Sequence, residues 1–371
     1  MTQALPAPRS DFIGLEDKIH LATGGEPPLL SRHRDAFEAF AADKACGMDG
    51  YENHWRVVDT VRAQLAPMMG LAPEEIALVG NASEGIVKVL SSIEWREGDN
   101  VVFSERDYAS GRYALASLGD KGVEIRTVPA RQWRIETEDL LAACDARTRA
   151  LYISQVNAMT GQLIDIAPLS AALEAAPTIL LLDASHALGV VPVRGYLADF
   201  TVSSCYKFAL GIHEGVFAWN QQRHPDFIPF GVGWAAASAG GRADEFRRKP
   251  GAQRVEFGNA GHLGAYLLRE SLDYLAGFGM DAIADHAQGL SRQVIAGMEA
   301  CGLEVMTPSA PGEQAGNAAF VCEDPRTVVA KAEADGIYVW GDNGRVRVSA
   351  HLFTSQEEVD VFLEKLPRYL G

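Results

Sequence analysis

The stretch TILLLDASHALG (Thr178–Gly189) decides the fold. Its apolar half does not alternate with polar residues, which is how a strand covered on both faces reads. ALYIS (Ala150–Ser154) has the same character. Working outward, strands are predicted over Asn100–Ser104, Val123–Pro129, Arg149–Ser154, Thr178–Asp183, Phe200–Ser204 and Gly215–Asn220, with helical periodicity at His54–Met68, Ser83–Ile93 and Ile166–Ala175. Strands interleaved with helices imply an α/β fold around a large, mainly parallel sheet. Phe230–Gly251, rich in Gly, Ala and charge, reads as a crossing loop. Beyond it come a long helix around Leu263–Leu275 and a smaller α+β unit. That unit has strands at Asn317–Cys322, Ile337–Trp340 and Val346–Ala350 and a final helix over Ser355–Tyr369. The expected division is a large domain of residues 26–245 and a small domain made of residues 1–25 and 246–371.

A length of 371 residues suits two domains better than one core. The formal charge of −16 argues against nucleic acid or an anionic membrane as partner, since both need clustered Lys and Arg. The five cysteines are scattered and form no CxxC pair, so neither a disulfide framework nor a metal site is expected. MTQALPAPRS has no apolar core of a secretory signal, and no run approaches a membrane span, so a cytoplasmic address is expected. Neither GxGxxG after the first strand nor GxxxxGK[ST] occurs, which removes the support for a nucleotide-dependent enzyme.

Four motifs carry chemistry. VGNASEGI (Val79–Ile86) stands at a loop-to-helix junction, where free amides and Ser83 can hold a phosphate without a basic residue. Asp183 ends a hydrophobic strand, where a carboxylate can keep a ring nitrogen protonated. Lys207, in SSCYKFALG (Ser203–Gly211), follows another strand; a lysine in apolar surroundings has a lowered pKa and becomes a nucleophile. Arg347, in GRVRVSAHLF (Gly344–Phe353), is a rigidly held fork for a carboxylate. Taken singly, these are also what an N-cap, a turn Asp, a surface Lys and an ion-paired Arg look like.

In this order, the set NAS(E), D-x-x-H, S-x-Y-K and R-x-S resembles the class V aminotransferase and cysteine desulfurase superfamily, a branch of the fold-type-I enzymes that use pyridoxal 5′-phosphate. The resemblance runs from about Ile19 to the end and implies that fold, with its large sheet domain and smaller C-terminal domain. It implies that Lys207 forms a Schiff base with the cofactor and moves the Cα proton of an α-amino acid, while Asp183 pairs with the pyridine nitrogen. Ala82, Ser83, Ser204 and Tyr206 would hold the phosphate, Tyr108 would stack on the ring, and His186 would sit near the phenolic oxygen. Arg347 would take the substrate carboxylate beside the LATGG segment containing Gly24. Asn259, in EFGNAGHLG, would reach the cofactor of a neighbouring subunit, implying a homodimer with shared active sites.

The departures narrow the chemistry. GIYVWGDNGRVRVS (Gly336–Ser349) contains no cysteine where a persulfide-forming desulfurase needs its nucleophile, and Cys322 reads as core, so that route is not expected. Tyr206-Lys207 together with D-x-x-H resembles kynureninases, whereas ALGIHEG after the lysine does not. The family's Asn in the strand motif is Ala158 here, beside Asn157. Transamination is the first expectation, with β-lyase cleavage of a C–S or C–C bond and racemisation as alternatives that the motifs serve equally.

Overall fold

The computed structural model describes residues 3–238 and 243–371. The N-terminal part runs β1 (Ile19–His20), α1 (His33–Lys44), α2 (Gly47–Met69), β2 (Ile76–Val79), α3 (Ala82–Ser92), β3 (Asn100–Ser104) and α4 (Ala109–Ala116). It continues through β4 (Glu124–Val128), α5 (Thr137–Ala142), β5 (Thr148–Ser154), α6 (Ala167–Leu173), β6 (Ile179–Asp183), β7 (Phe200–Ser204) and β8 (Gly215–Trp219). After these come α7 (His262–Phe278), α8 (Met280–Ala300), β9 (Asn317–Val321), α9 (Pro325–Ala334), β10 (Ile337–Tyr338), β11 (Trp340–Asp342), β12 (Arg345–Ser349) and α10 (Gln356–Leu370).

The large sheet has the order β2-β8-β7-β6-β5-β3-β4. Its pairs from β7 to β4 are parallel, and β8 runs antiparallel between β7 and β2. Successive residues of the apolar strands enter different cores. Tyr152 and Leu181 pack with α3 and α4 on one face, and Leu151, Ile153, Leu180 and Leu182 pack with α5 and α6 on the other. That double burial is why these strands show no alternation. Deleting one of these side chains leaves a cavity worth about 2–5 kcal/mol. Helices α1, α2 and α7 cover the β2/β8 end, where Val58, Val61, Leu65 and Tyr266 share a core with Leu78 and Val216.

The strand predictions hold to within a residue or two over the large sheet. The sequence reading missed β2, whose four residues are too few to show a period, and started α2 several residues late. Ile337–Trp340 is divided between β10, which pairs with β1, and β11, which pairs with β12. The expected crossing loop includes short 3-10 turns at Trp234–Ala236 and Ala243–Glu245, and its residues 239–242 lie outside the described residues. No described helix is long and apolar enough to cross a membrane.

Asp183, Ser204 and Ser154 sit at the carboxyl ends of adjacent strands, and the start of α3 lies at the same edge of the sheet. Open α/β sheets bind their ligands at that edge.

Candidate active site

Lys207 lies just past β7 and is only 7% exposed. Burial pushes its amine down to about 8, the Arg347 charge adding to the effect and Asp183 opposing it. Its Nζ is 3.2 Å from Nε2 of His186. On the far side of that ring, the Asn317 side-chain amide donates to Nδ1 at 2.9 Å. Burial holds the His186 pKa well below its usual value, so the ring is neutral. With Nδ1 accepting, the ring proton resides on Nε2 and faces the Lys207 nitrogen.

Asp183 ends β6 with both oxygens engaged. Oδ1 accepts from the Ser185 amide at 2.8 Å, and Oδ2 accepts from the Tyr152 hydroxyl at 2.8 Å. Burial, reinforced by the Asp183 charge, raises the Tyr152 phenol well above its usual value, so it stays a neutral donor. The Tyr152 ring lies flush against α4. A Cβ at Gly111 would fall 2.3 Å from a ring carbon, so that position admits only glycine. Asp107 is buried nearby and accepts from the amides of Ser104 and Ser154 and from the Ser154 hydroxyl. Burial pushes it up to about 7.

At the other end, Asn81 caps α3 by accepting from the Glu84 amide at 2.9 Å. The first amides of the helix, at Ala82 and Ser83, have no intrahelical partner. Ser83 and Ser110 bring their hydroxyls to 2.8 Å of each other. Ser204 donates its amide to Ser185 Oγ at 3.0 Å. Tyr108, 48% exposed, forms part of the wall, with its ring centroid 5.4 Å from Lys207 Nζ, and Tyr206 stacks on His213 with centroids 4.3 Å apart.

These groups enclose one cavity of about 200 Å³. The structure therefore brings Ala82, Ser83, Tyr108, Asp183, His186, Ser204, Tyr206 and Lys207 together. Arg347 and Gly24 lie beside it, on the small-sheet side. Arg347 donates from Nη1 to the carbonyl of Ala158, a residue of the cavity wall, at 3.0 Å. A Cβ on Gly24 would lie 2.8 Å from Asn317 Oδ1 and 2.9 Å from Ser349 Oγ, so this segment approaches as closely as a backbone can. Asn259 is apart from the cavity. It is exposed, accepts from the Tyr51 hydroxyl at 2.9 Å and borders a separate cavity of about 320 Å³. Asn157 does not stand in for Ala158, because its side chain is spent on the Met159 and Thr160 amides and the Arg106 carbonyl. No cysteine lines the cavity. Among the described residues no three His, Cys, Asp or Glu side chains cluster to hold a metal.

Tyr152, Asn317, Ser110 and Ser154 were not foreseen. Tyr152, the single tyrosine in an apolar strand, carried the one usable signal. Asn317 had none, since it comes from a different sheet.

A family model described as aminotransferase class-V matches residues 48–362. The chain belongs to that family. Class V enzymes work through pyridoxal 5′-phosphate, and this chain is one of them. Curated relatives include kynureninases from Burkholderia mallei, 27% identical over 69% of this chain, and from Deinococcus radiodurans, 26% identical over 75% of it. The matched part spans 65% of the Burkholderia enzyme's length and 69% of the Deinococcus enzyme's. The fold is shared with the cysteine desulfurase of Thermococcus onnurineus, with a TM-score of 0.89 at 19% identity over 100% of this chain and 99% of that one. It is also shared with the cystine C-S lyase C-DES, with a TM-score of 0.87 at 20% identity over 96% and 98% of the two chains.

The class V cofactor fits what is built here. It needs a carboxylate at the ring nitrogen, a lysine at the aldehyde carbon and neutral donors at the phosphate. Asp183 would face the ring nitrogen and Lys207 the aldehyde, while the Ala82 and Ser83 amides, with the hydroxyls of Ser83, Ser110 and Ser204, would hold the phosphate. Tyr108 would cover the ring. Ala158 and His186 both line the same cavity.

Proposed function

We propose that this class V enzyme is a β-lyase, cleaving the bond between Cβ of an α-amino acid and its substituent. The observation that carries the reading is the hydrogen bond between Lys207 Nζ and Nε2 of a second proton-bearing group, His186, itself fixed by Asn317. The kynureninase relatives support the same class of reaction. Bound pyridoxal 5′-phosphate supplies the electron sink that stabilises negative charge at Cα.

Arg347 orients the substrate by its carboxylate and so presents the Cα hydrogen to Lys207. The Lys207 amine, its pKa lowered by burial to about 8, is deprotonated far more readily than an ordinary lysine and takes that proton. When the bond at Cβ breaks, its electron pair leaves with a heteroatom substituent, giving ammonia and pyruvate, or, where water adds to a β-acyl substituent, stays on Cβ, giving alanine and a carboxylic acid. Lys207 and the His186 Nε2–H beside it then form a short path that returns a proton to the departing group or to Cβ. Asp183, its orientation set by Tyr152 and Ser185, holds the proton on the ring nitrogen. The exposed Asn259, Tyr108, Trp234 and Phe257 suit a second copy packed against this edge, and the working form proposed is a homodimer.

The test supplies the holoenzyme with a panel of amino acids and follows ammonia, pyruvate and alanine against conversion of the cofactor to its pyridoxamine form. Release of ammonia or alanine with the cofactor unchanged is the expected result. Stoichiometric pyridoxamine formation without cleavage would replace this reading with transamination.

A further inference from the structure

The three-stranded sheet β11-β12-β9 has two unlike faces. Val346, Val348 and Phe320 enter the apolar core of the small unit. The alternate residues of β12 (Arg345, Arg347 and Ser349) share the opposite face. There they lie across from Asp342 and Trp340 on β11 and from Val321, Ala319 and Asn317 on β9. This polar face meets the Lys207 cavity, as the bonds from Asn317 to His186 and from Arg347 to Ala158 show.

A substrate α-carboxylate accounts for Arg347 and leaves Arg345 unexplained. Arg345 is 6% exposed, its Nε has no partner, and its side chain forms no hydrogen bond or ion pair among the described residues. Its guanidinium carbon is 4.7 Å from the Trp340 ring centroid, and that of Arg347 is 4.9 Å from the same ring. Asp342, the cross-strand neighbour of Arg345, makes its ion pair with Arg326 at 3.6 Å. Burial lowers the pKa of both arginines, and the charge of Arg345 further lowers that of Arg347. Two largely buried guanidiniums are therefore gathered on one indole with neither hydrogen-bonded to a carboxylate, the Asp342 charge only partly offsetting burial at Arg345. Desolvated like charges are costly until an anion arrives, and a carboxylate fits one guanidinium fork.

We propose that Arg345 is a second anchor of the substrate pocket and that the substrate is an α-amino acid with a further acidic group on its side chain, held as a dianion by Arg347 and Arg345. This deepens the assignment of the cavity as an amino-acid site and rests on it. Side chains of the aspartate type, bearing a carboxylate or a sulfur acid, have the required chemistry. A neutral aryl side chain gives Arg345 nothing to pair with.

Succinate and butyrate test this as four-carbon probes differing in one charge. Both are titrated into the holoenzyme and followed by thermal shift and by competitive inhibition. Wild type is expected to bind succinate at least about tenfold more tightly than butyrate. Arg345→Gln should abolish that difference while leaving butyrate binding unchanged, and should lower kcat/KM for diacid amino acids by about 100-fold relative to monoacid ones. Arg345→Lys, which keeps the charge and loses the fork, should retain part of the preference and serves if the Gln variant does not fold. A wild type with no preference for succinate, or variants that keep the full preference, would overturn the proposal. Probe binding breaks no bond. Succinate preference without cleavage activity therefore rejects the β-lyase reading alone, and cleavage of uncharged substrates without succinate preference rejects this one alone.

Discussion

On the large-sheet wall of the cavity both oxygens of Asp183 are hydrogen-bonded and Lys207 is engaged by His186. On the small-sheet side, just behind the cavity lining, Arg345, Arg347, Ser349 and Asn317 each keep a buried polar atom without a partner. Buried polar groups are ordinarily satisfied, and four unpaired ones on neighbouring strands beside the cavity suit an incoming polar ligand. The difference fits the proposed division of labour, one side holding a resident group and the other receiving a transient one. A cofactor that stays can be met by side chains already fixed in place. A substrate that comes and goes must bring its own counter-charges, and the wall that receives it is left waiting.

The largest effect that can break this contrast falls on Lys207. Lys207→Ala should lower turnover by on the order of a thousand-fold or more, because both the anchor and the base are lost. A pH profile sharpens the point. The neutral amine is the nucleophile, so cofactor capture by apo enzyme should rise with pH and level off above about 8, below the range of an ordinary lysine. A capture rate still climbing at pH 10 would remove burial as the activating device. Next in size is Arg347→Gln. It should raise KM by roughly 30- to 1000-fold while the cofactor stays bound, since this residue belongs to the receiving wall. Equal loss of cofactor, read by absorbance after gel filtration, would mean that the two walls are not separate in function. The smallest is Tyr152→Phe, which removes one donor from Asp183 and should cost about tenfold in kcat with little change in KM. A matching shift in the pH titration of the cofactor's absorption band distinguishes altered Asp183 basicity from a packing defect.

The sequence made the resident wall legible and left half of the receiving wall dark, for a physical reason. Asp183, Lys207 and Ser83 sit at strand ends or a helix start, where local pattern betrays position. Asn317 and Arg345 reach His186 and Trp340 through pairing between strands distant in the chain, and no periodicity records such contacts. Arg347 was found because it lies within a short motif. Arg345, two residues earlier on the same face, passed as an ordinary charge. The large-sheet strands were readable because burial on both faces gave them continuous apolar runs, and β2 escaped because four residues are too few to show one.

Gly111 and Tyr152 carry a consequence of a different kind. The ring that reaches Asp183 occupies the volume a side chain at position 111 would need. The two sites cannot drift independently. A lineage that acquires any larger residue at 111 must shrink or redirect 152 in the same step, and with it surrenders one of the two hydrogen bonds that orient Asp183. Descendants of this chain are thus confined to paired changes at these positions, a form of epistasis that a survey of natural variants can read without purifying any protein.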